Sequence, residues 1–213
     1  MADTTHPISQ IALPLGPTGQ GEARRIVIGS ANADVIEALR DPASWPFGVA
    51  VLSGPTRSGK TLLGEWAGGN GIAVIDGADT WDENKLFHRW NAVQQGGSDT
   101  GTKLLIIVNK QPWEIDLPDL RSRLSGSLQL EIGDPDDAMA AELILAMAAQ
   151  RGLSLAEEAV NYLIPRAPRS FESIERLVAA IDRISLERQA PATMSVWRAA
   201  LEAVQGPEQQ RLF

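Results

Sequence analysis

The run VAVLSGPTRSGKTLLGEW, Val49 to Trp66, decides the fold. Inside it, Gly54 to Thr61 reads GPTRSGKT, the G-x-x-x-x-G-K-[ST] pattern of a phosphate-binding loop. The pattern lies where its chemistry requires. An apolar run, Val49 to Leu52, precedes it, and a helix opening at Thr61 and closed by Gly68 and Gly69 follows. Strand, loop and helix together aim backbone N–H groups and a helix N-terminus at the phosphates of ATP or ADP. The nucleotide-binding set is therefore Gly54, Pro55, Thr56, Arg57, Ser58, Gly59, Lys60 and Thr61. Lys60 is expected to bridge the outer phosphates as a point charge, and the Thr61 hydroxyl to hold Mg2+. Asp76, closing the run IAVID, is expected to complete the water shell of that metal. The next position is Gly77, where hydrolytic proteins of this architecture carry a second acid; glycine neither accepts a proton nor orients water. Asp79 is near in sequence but out of register, so slow or absent intrinsic hydrolysis is expected.

Outward from the loop, strand and helix signals alternate. Ile72 to Ile75 reads as a buried strand, Asp82 to about Gln95 as a helix, and Leu104 to Val108 as a third strand. Such alternation implies a parallel sheet. Upstream lie an apolar triplet, Ile26 to Ile28, a helix from Asn32 to Arg40, and a loop holding Trp45 and Pro46. From Asp134 onward only helix signals remain. Asp134 and Pro135 read as cap and first position, Met139, Leu143 and Met147 as one face, and Gly152 as the end. Ser154 with Glu157 reads as a capping box, Ser170 starts a helix striped by Ile174, Leu177, Val178 and Ile181, and Ser195 starts a fourth. The expected organisation is a tail over 1–25, an α/β unit over 26–133, an all-helical unit over 134–204 and a second tail over 205–213.

Composition narrows the functions. A chain of 213 residues has room for an α/β core and a smaller appended unit. The net charge of -8 argues against a protein that grips DNA alone, which needs clustered Lys and Arg to displace counterions. Cysteine is absent, excluding disulfides and thiolate sites, and His6 and His88 are too few for a histidine metal centre. No apolar run is long enough to cross a bilayer, and the opening MADTTHPISQ lacks the pattern of a secretory leader, so a cytoplasmic protein is expected.

Several further stretches carry a resemblance: VIDGAD, DENKLFHRWN, LPDLRSRL, GDPDD and RSFESIERLVAAIDRISL. Together with the phosphate loop they resemble the AAA+ domain of the DnaA initiator family. Within it, the likeness is to the Hda branch of regulatory inactivators, especially the short alphaproteobacterial type, over roughly Gly29 to Val204. The resemblance implies a P-loop AAA+ parallel sheet followed by a helical lid. Only fifteen residues, Thr61 to Ile75, separate the two phosphate-site motifs, so one strand-helix unit at the sheet edge is expected to be missing. Asn109, at the end of LLIIVN, matches the family's first sensor, whose amide meets a γ-phosphate or its attacking water. Arg123 in SRL matches the family's arginine finger, which enters the nucleotide site of a neighbouring subunit; Arg121 is a second candidate. The second sensor, an arginine in many relatives, is Glu172 here, with Arg169 and Arg176 as nearby replacements.

QIALPL, within the first tail, resembles the peptide by which Hda proteins grip the sliding clamp. An extended strand can offer the Gln10 amide and the apolar Ile11, Leu13 and Leu15, with Pro14 holding the backbone away from helix. The C-terminal QQRLF fits a looser clamp pattern. The resemblance therefore implies an adaptor that binds ATP or ADP with Mg2+, docks on the clamp and promotes hydrolysis of DnaA-bound ATP. Its partners are DnaA and the clamp, with self-association open and no sequence-specific DNA contact. Two alternatives compete with this reading: an autonomous P-loop ATPase or phosphotransferase, and a clamp-bound scaffold that leaves DnaA untouched.

Overall fold

The computed structural model describes residues 9–12, 25–96 and 103–206. Four strands form one parallel sheet: β3 (Val49–Ser53), β4 (Ala73–Ile75), β5 (Leu104–Ile107) and β6 (Leu128–Glu131), in the spatial order β4-β5-β3-β6. Val51 is opposite Ile106 on one side and Gln129 on the other. Both β3 and β5 are buried along their whole length, which explains why they read as unbroken apolar runs. The sheet is closed on its faces by α1 (Ala33–Arg40), α2 (Lys60–Gly69), α3 (Glu83–Gln94) and α4 (Pro118–Gly126). One side of the core gathers Val49, Val51, Leu104 and Ile106 with Leu86, Trp90, Val93, Leu120 and Leu124 from α3 and α4. α2 presses tightly on the other side, since a Cβ on Gly64 would come within 2.7 Å of Ile107 Cδ1.

Because the strands run parallel, their C-terminal ends share one edge of the sheet. Gly54 follows β3, Asp76 follows β4, and Asn109 comes two residues after β5, so topology alone places all three at one crevice mouth. The sheet is trimmed as expected. β4 is one of its two edge strands, and a groove of about 300 Å³ lies beside it, lined by Thr61, Gly64, Glu65, Gly68, Ile72, Val74 and Asp76.

A separate two-stranded sheet pairs β1 (Ser9–Ala12) with β2 (Arg25–Ile28). Within the tail expected over 1–25, QIALPL was the segment set apart as able to extend, and Ser9–Ala12 is a strand, paired with the strand that holds the apolar triplet at 26–28.

The helical unit, residues 134–206 together with Gly29–Ala31, contains α5 (Asp137–Gln150), α6 (Glu157–Leu163), α7 (Phe171–Arg188) and α8 (Met194–Gln205). α7 is central, packing on both α5 and α8 through the predicted stripe of Ile174, Leu177, Val178 and Ile181. Three helix starts differ from the sequence reading. α5 is capped by Asp136, whose Oδ1 accepts the Met139 N–H at 2.8 Å, and not by Asp134. α6 begins after Ala156 with no side-chain cap, so Ser154 forms no box; Glu157 and Glu158 in its first turn complement the helix dipole instead. α8 begins after Thr193, whose hydroxyl meets that of Ser195 at 3.2 Å and caps no N–H. Ser170 does cap α7, accepting from the Ser173 N–H at 3.2 Å. Among the described residues, no helix is long and apolar enough to cross a membrane.

Candidate nucleotide site and the Arg123 surface

The phosphate loop is shaped by two features of its glycines. A Cβ on Gly54 would lie 2.8 Å from Ile132 Cβ and 3.1 Å from Ile132 O, so no larger residue fits between loop and β6 end. Gly59 stands at φ 87° as the cap of α2 and brings no side chain to the helix N-terminus, leaving the first N–H groups of α2 to an outside acceptor. Lys60 is buried and folds back on the loop, donating from Nζ to the carbonyls of Gly54 and Pro55, each at 2.9 Å. Burial pulls its pKa below that of an ordinary lysine, while the carboxylates of Asp76 and Asp79 act in the opposite sense. Ser58 is buried too, and its Oγ has no hydrogen-bond partner among the described residues. An orphaned hydroxyl beside a carbonyl-bound ammonium and an uncapped helix end suits a phosphate, whose oxygens can accept from all three. Thr56 and Arg57 are exposed at the loop's tip, Arg57 with a left-handed backbone at φ 65°.

Asp76 and Thr61 are brought together: the Thr61 hydroxyl donates to Asp76 Oδ2 at 2.6 Å. A hydroxyl and a carboxylate are the oxygen donors that hold a nucleotide-bound magnesium ion. Gly77 follows at φ 68°, a conformation that penalises most side chains, although a Cβ there would meet nothing nearer than 3.8 Å. One of those neighbours at 3.8 Å is the Asn109 side-chain amide, so the first-sensor candidate does face the position where a second acid would stand. Asp79 is the residue the sequence reading passed over. The tight turn Ala78–Thr80 swings it back, where its Oδ1 accepts the Asn109 N–H at 2.9 Å and its charge bears on Lys60. The signal available in sequence was the turn itself, GADTWD, which permits an acid three residues after Asp76 to return to the site.

Arg123 lies in the last turn of α4, away from those contacts. Its guanidinium carbon sits 4.4 Å from the centroid of the Phe87 ring and 4.7 Å from that of Trp90, and Nη1 donates to Asn91 Oδ1. All three holders are on α3, within the stretch LFHRWN, and all are uncharged. Trp90 is anchored in turn by Ser127 Oγ at 3.4 Å, which itself donates to the Arg123 carbonyl. Arg121 is committed differently: its Nε and Nη2 both donate to the Ile115 carbonyl, tying α4 to the preceding loop. Of the two candidates, Arg123 is held by side chains and Arg121 by backbone.

In the helical unit, Arg169 pairs with Asp137 at 3.0 Å on an exposed surface, while Glu172 stands in the first turn of α7 and Arg176 is exposed. Of the segment expected to bind a clamp, Gln10 and Ile11 are strand residues of β1; Leu13, Pro14 and Leu15 lie outside the described residues, as does the C-terminal QQRLF.

Comparison with known proteins agrees with this architecture. The family model described as Hda, lid domain, matches residues 137–201. A Haemophilus influenzae protein described only as uncharacterized is 31% identical over 125 residues, 58% of this chain and 52% of its own length. The chain thus spans about half the length of that curated relative. Among solved structures, domain III of the Thermotoga maritima replication initiation protein DnaA superposes with a TM-score of 0.69 at 15% identity, covering 85% of this chain and 95% of that one. AMPPCP-bound DnaA from Aquifex aeolicus gives 0.57 at 18% identity, covering 77% and 66%. The Thermotoga maritima RuvB Holliday junction branch migration motor gives 0.60 at 15%, covering 83% and 70%.

Proposed function

We propose that this chain, which has a DnaA-like AAA+ fold and a segment matched by the Hda lid family, regulates replication initiation by promoting hydrolysis of ATP bound to DnaA. The observation that carries this reading is the mounting of Arg123: a guanidinium fixed in place by two rings and an amide, with its charge left unneutralised by its holders. An arginine kept rigid by neutral groups can stabilise charge developing on a phosphoryl group that another protein brings. The chain's own nucleotide, ATP or ADP with Mg2+, is held in this reading by the loop Gly54–Thr61 and by Asp76. Bound there, it supplies fixed negative charge that orders the loop. Lys60 leaves the Gly54 and Pro55 carbonyls for phosphate, and Ser58 gains the acceptor it lacks. Gly77 offers no base, so slow or absent hydrolysis is expected at this site and the arginine serves the partner's chemistry.

The sliding clamp enters through Gln10–Leu15, which places the protein where replication has begun. The extended course of Ser9–Ala12 supports a peptide bound as a strand. The test is phosphate release from ATP-loaded DnaA in the presence of clamp loaded on DNA. Release that depends on Arg123 and on Gln10 supports the adaptor. Brisk hydrolysis by the chain alone would instead favour an autonomous ATPase, and clamp binding without any effect on DnaA would leave only a scaffold.

A further inference from the structure

Phe47 is an exposed aromatic residue in an unusual backbone. The residue is 57% exposed, yet its φ is 56° in the left-handed region, where side chains with a Cβ are disfavoured. The surroundings enforce that geometry. Gln94 Nε2, from the last turn of α3, donates to the Phe47 carbonyl at 2.6 Å, and the ring leans on Trp90 with centroids 5.8 Å apart. Gly126, at the end of α4, leaves room for the ring's edge; a Cβ there would lie 3.3 Å from Phe47 Cε2. A fold seeking only to cover Trp90 has no need of an outward phenyl ring on a strained backbone, and strain of this kind gathers at functional surfaces.

The same indole carries Arg123 at 4.7 Å. Cation and phenyl ring therefore lie on one support, close enough together for a single protein surface to meet both. We propose that Phe47 is the apolar anchor by which this surface seats the ATP-loaded AAA+ domain of its DnaA-type partner, with Arg123 supplying the charge. The proposal rests on the reading of Arg123 given above. Charge decides the occupant: Arg123 has neutral holders and so calls for an anion, and a partner presenting a triphosphate beside apolar surface meets both demands.

The test uses the full chain, ATP-loaded DnaA and clamp on DNA, with phosphate release followed against concentration of the chain. Phe47→Gly removes the ring and suits the left-handed backbone, so the fold is expected to survive, with Tm within about 4 °C of the parent. The concentration giving half-maximal release is expected to rise about tenfold, with the saturated rate nearly unchanged. Arg123→Ala, in contrast, is expected to lower the saturated rate, and Phe47→Tyr to behave like the parent. An unchanged half-maximal concentration for Phe47→Gly, beside a defective Arg123→Ala, overturns the anchor and leaves the arginine reading standing. A fall in Tm of about 10 °C or more assigns Phe47 to the fold and also overturns it. Full activity of Arg123→Ala removes the reading itself, and the anchor with it.

Discussion

The phosphate loop and the Arg123 surface each keep a cation on neutral groups, but they build that arrangement from opposite materials. Lys60 rests on two backbone carbonyls of its own loop, Gly54 and Pro55, five or six residues away. Arg123 rests on Phe87, Trp90 and Asn91, some thirty residues away, brought together only by the packing of α3 on α4. The first cation is buried and directed at the chain's own ligand; the second is half-buried at the surface. Each cation is ordered by hydrogen bonds or ring contacts to uncharged groups, although Lys60, unlike Arg123, also feels the carboxylates of Asp76 and Asp79. In the function proposed above, what distinguishes the two is whose phosphate each serves.

If that division is sound, the two cations fail separately. Arg123→Ala should lower stimulated release of phosphate from ATP-loaded DnaA by about a thousandfold, while titration with a fluorescent adenine nucleotide finds the chain's own affinity unchanged. Arg123→Lys should not restore release, since an ammonium lacks the planar fork that stacks between rings and bonds Asn91. Lys60→Ala should weaken the chain's own nucleotide binding by about a hundredfold. Equal damage to both functions by either variant would merge the two regions into one site.

Lys60 also sets a pH dependence. Burial lowers its pKa in the folded chain, so between the folded and unfolded values the unfolded state binds more protons. The nucleotide-free fold should therefore gain stability as pH rises through that alkaline window, as the penalty for a buried charge is relieved. Nucleotide affinity should move the other way, falling as the ammonium is lost, and at a lower pH than an ordinary lysine would give. Calorimetry across the alkaline range reads both trends; a common sign for the two would contradict the role given to Lys60.

The same contrast explains what could be read from sequence. The loop, Asp76 and the order of strands are local or follow from alternation, so GPTRSGKT and the apolar runs Val49–Leu52 and Leu104–Val108 were sufficient. The missing edge unit was legible too, from the fifteen residues between Thr61 and Ile75. Asp79 escaped because it was judged by register after Asp76, whereas the turn GADTWD, whose residues Ala78–Thr80 form a tight turn, reverses the chain and returns its carboxylate to the site. Phe47 escaped for a different reason: the apposition of Gln94, Trp90 and Gly126 around it exists only after α3 and α4 have packed. In the helical unit, the stripe of α7 was legible because it repeats. Capping residues were legible at Ser170 but not where two candidates compete over two positions, as Asp134 and Asp136 or Ser195 and Thr193 do.

Smaller effects sharpen the local side of the comparison. Gly54→Ala should cost about 1 to 3 kcal/mol, because the new methyl group collides with Ile132 at the end of β6; the loss should appear in thermal unfolding even without nucleotide. Asp136→Ala should cost about 1 kcal/mol as a lost helix cap, much of any charge contribution being screened at this exposed site. The Met139 N–H, and then the Ser30 side chain, hold the Asp136 carboxyl below its ordinary pKa. Its folded value is thus the lower one, so its stabilising share is present above the unfolded carboxylate pKa and lost as pH falls through the folded value. Asp136→Asn keeps an acceptor for the Met139 N–H but cannot titrate. It should therefore hold most of the cap near neutrality while flattening the acid limb of the stability curve. An acid limb identical in parent and Asn variant would mean that the cap works through geometry alone, with the charge on Asp136 contributing nothing.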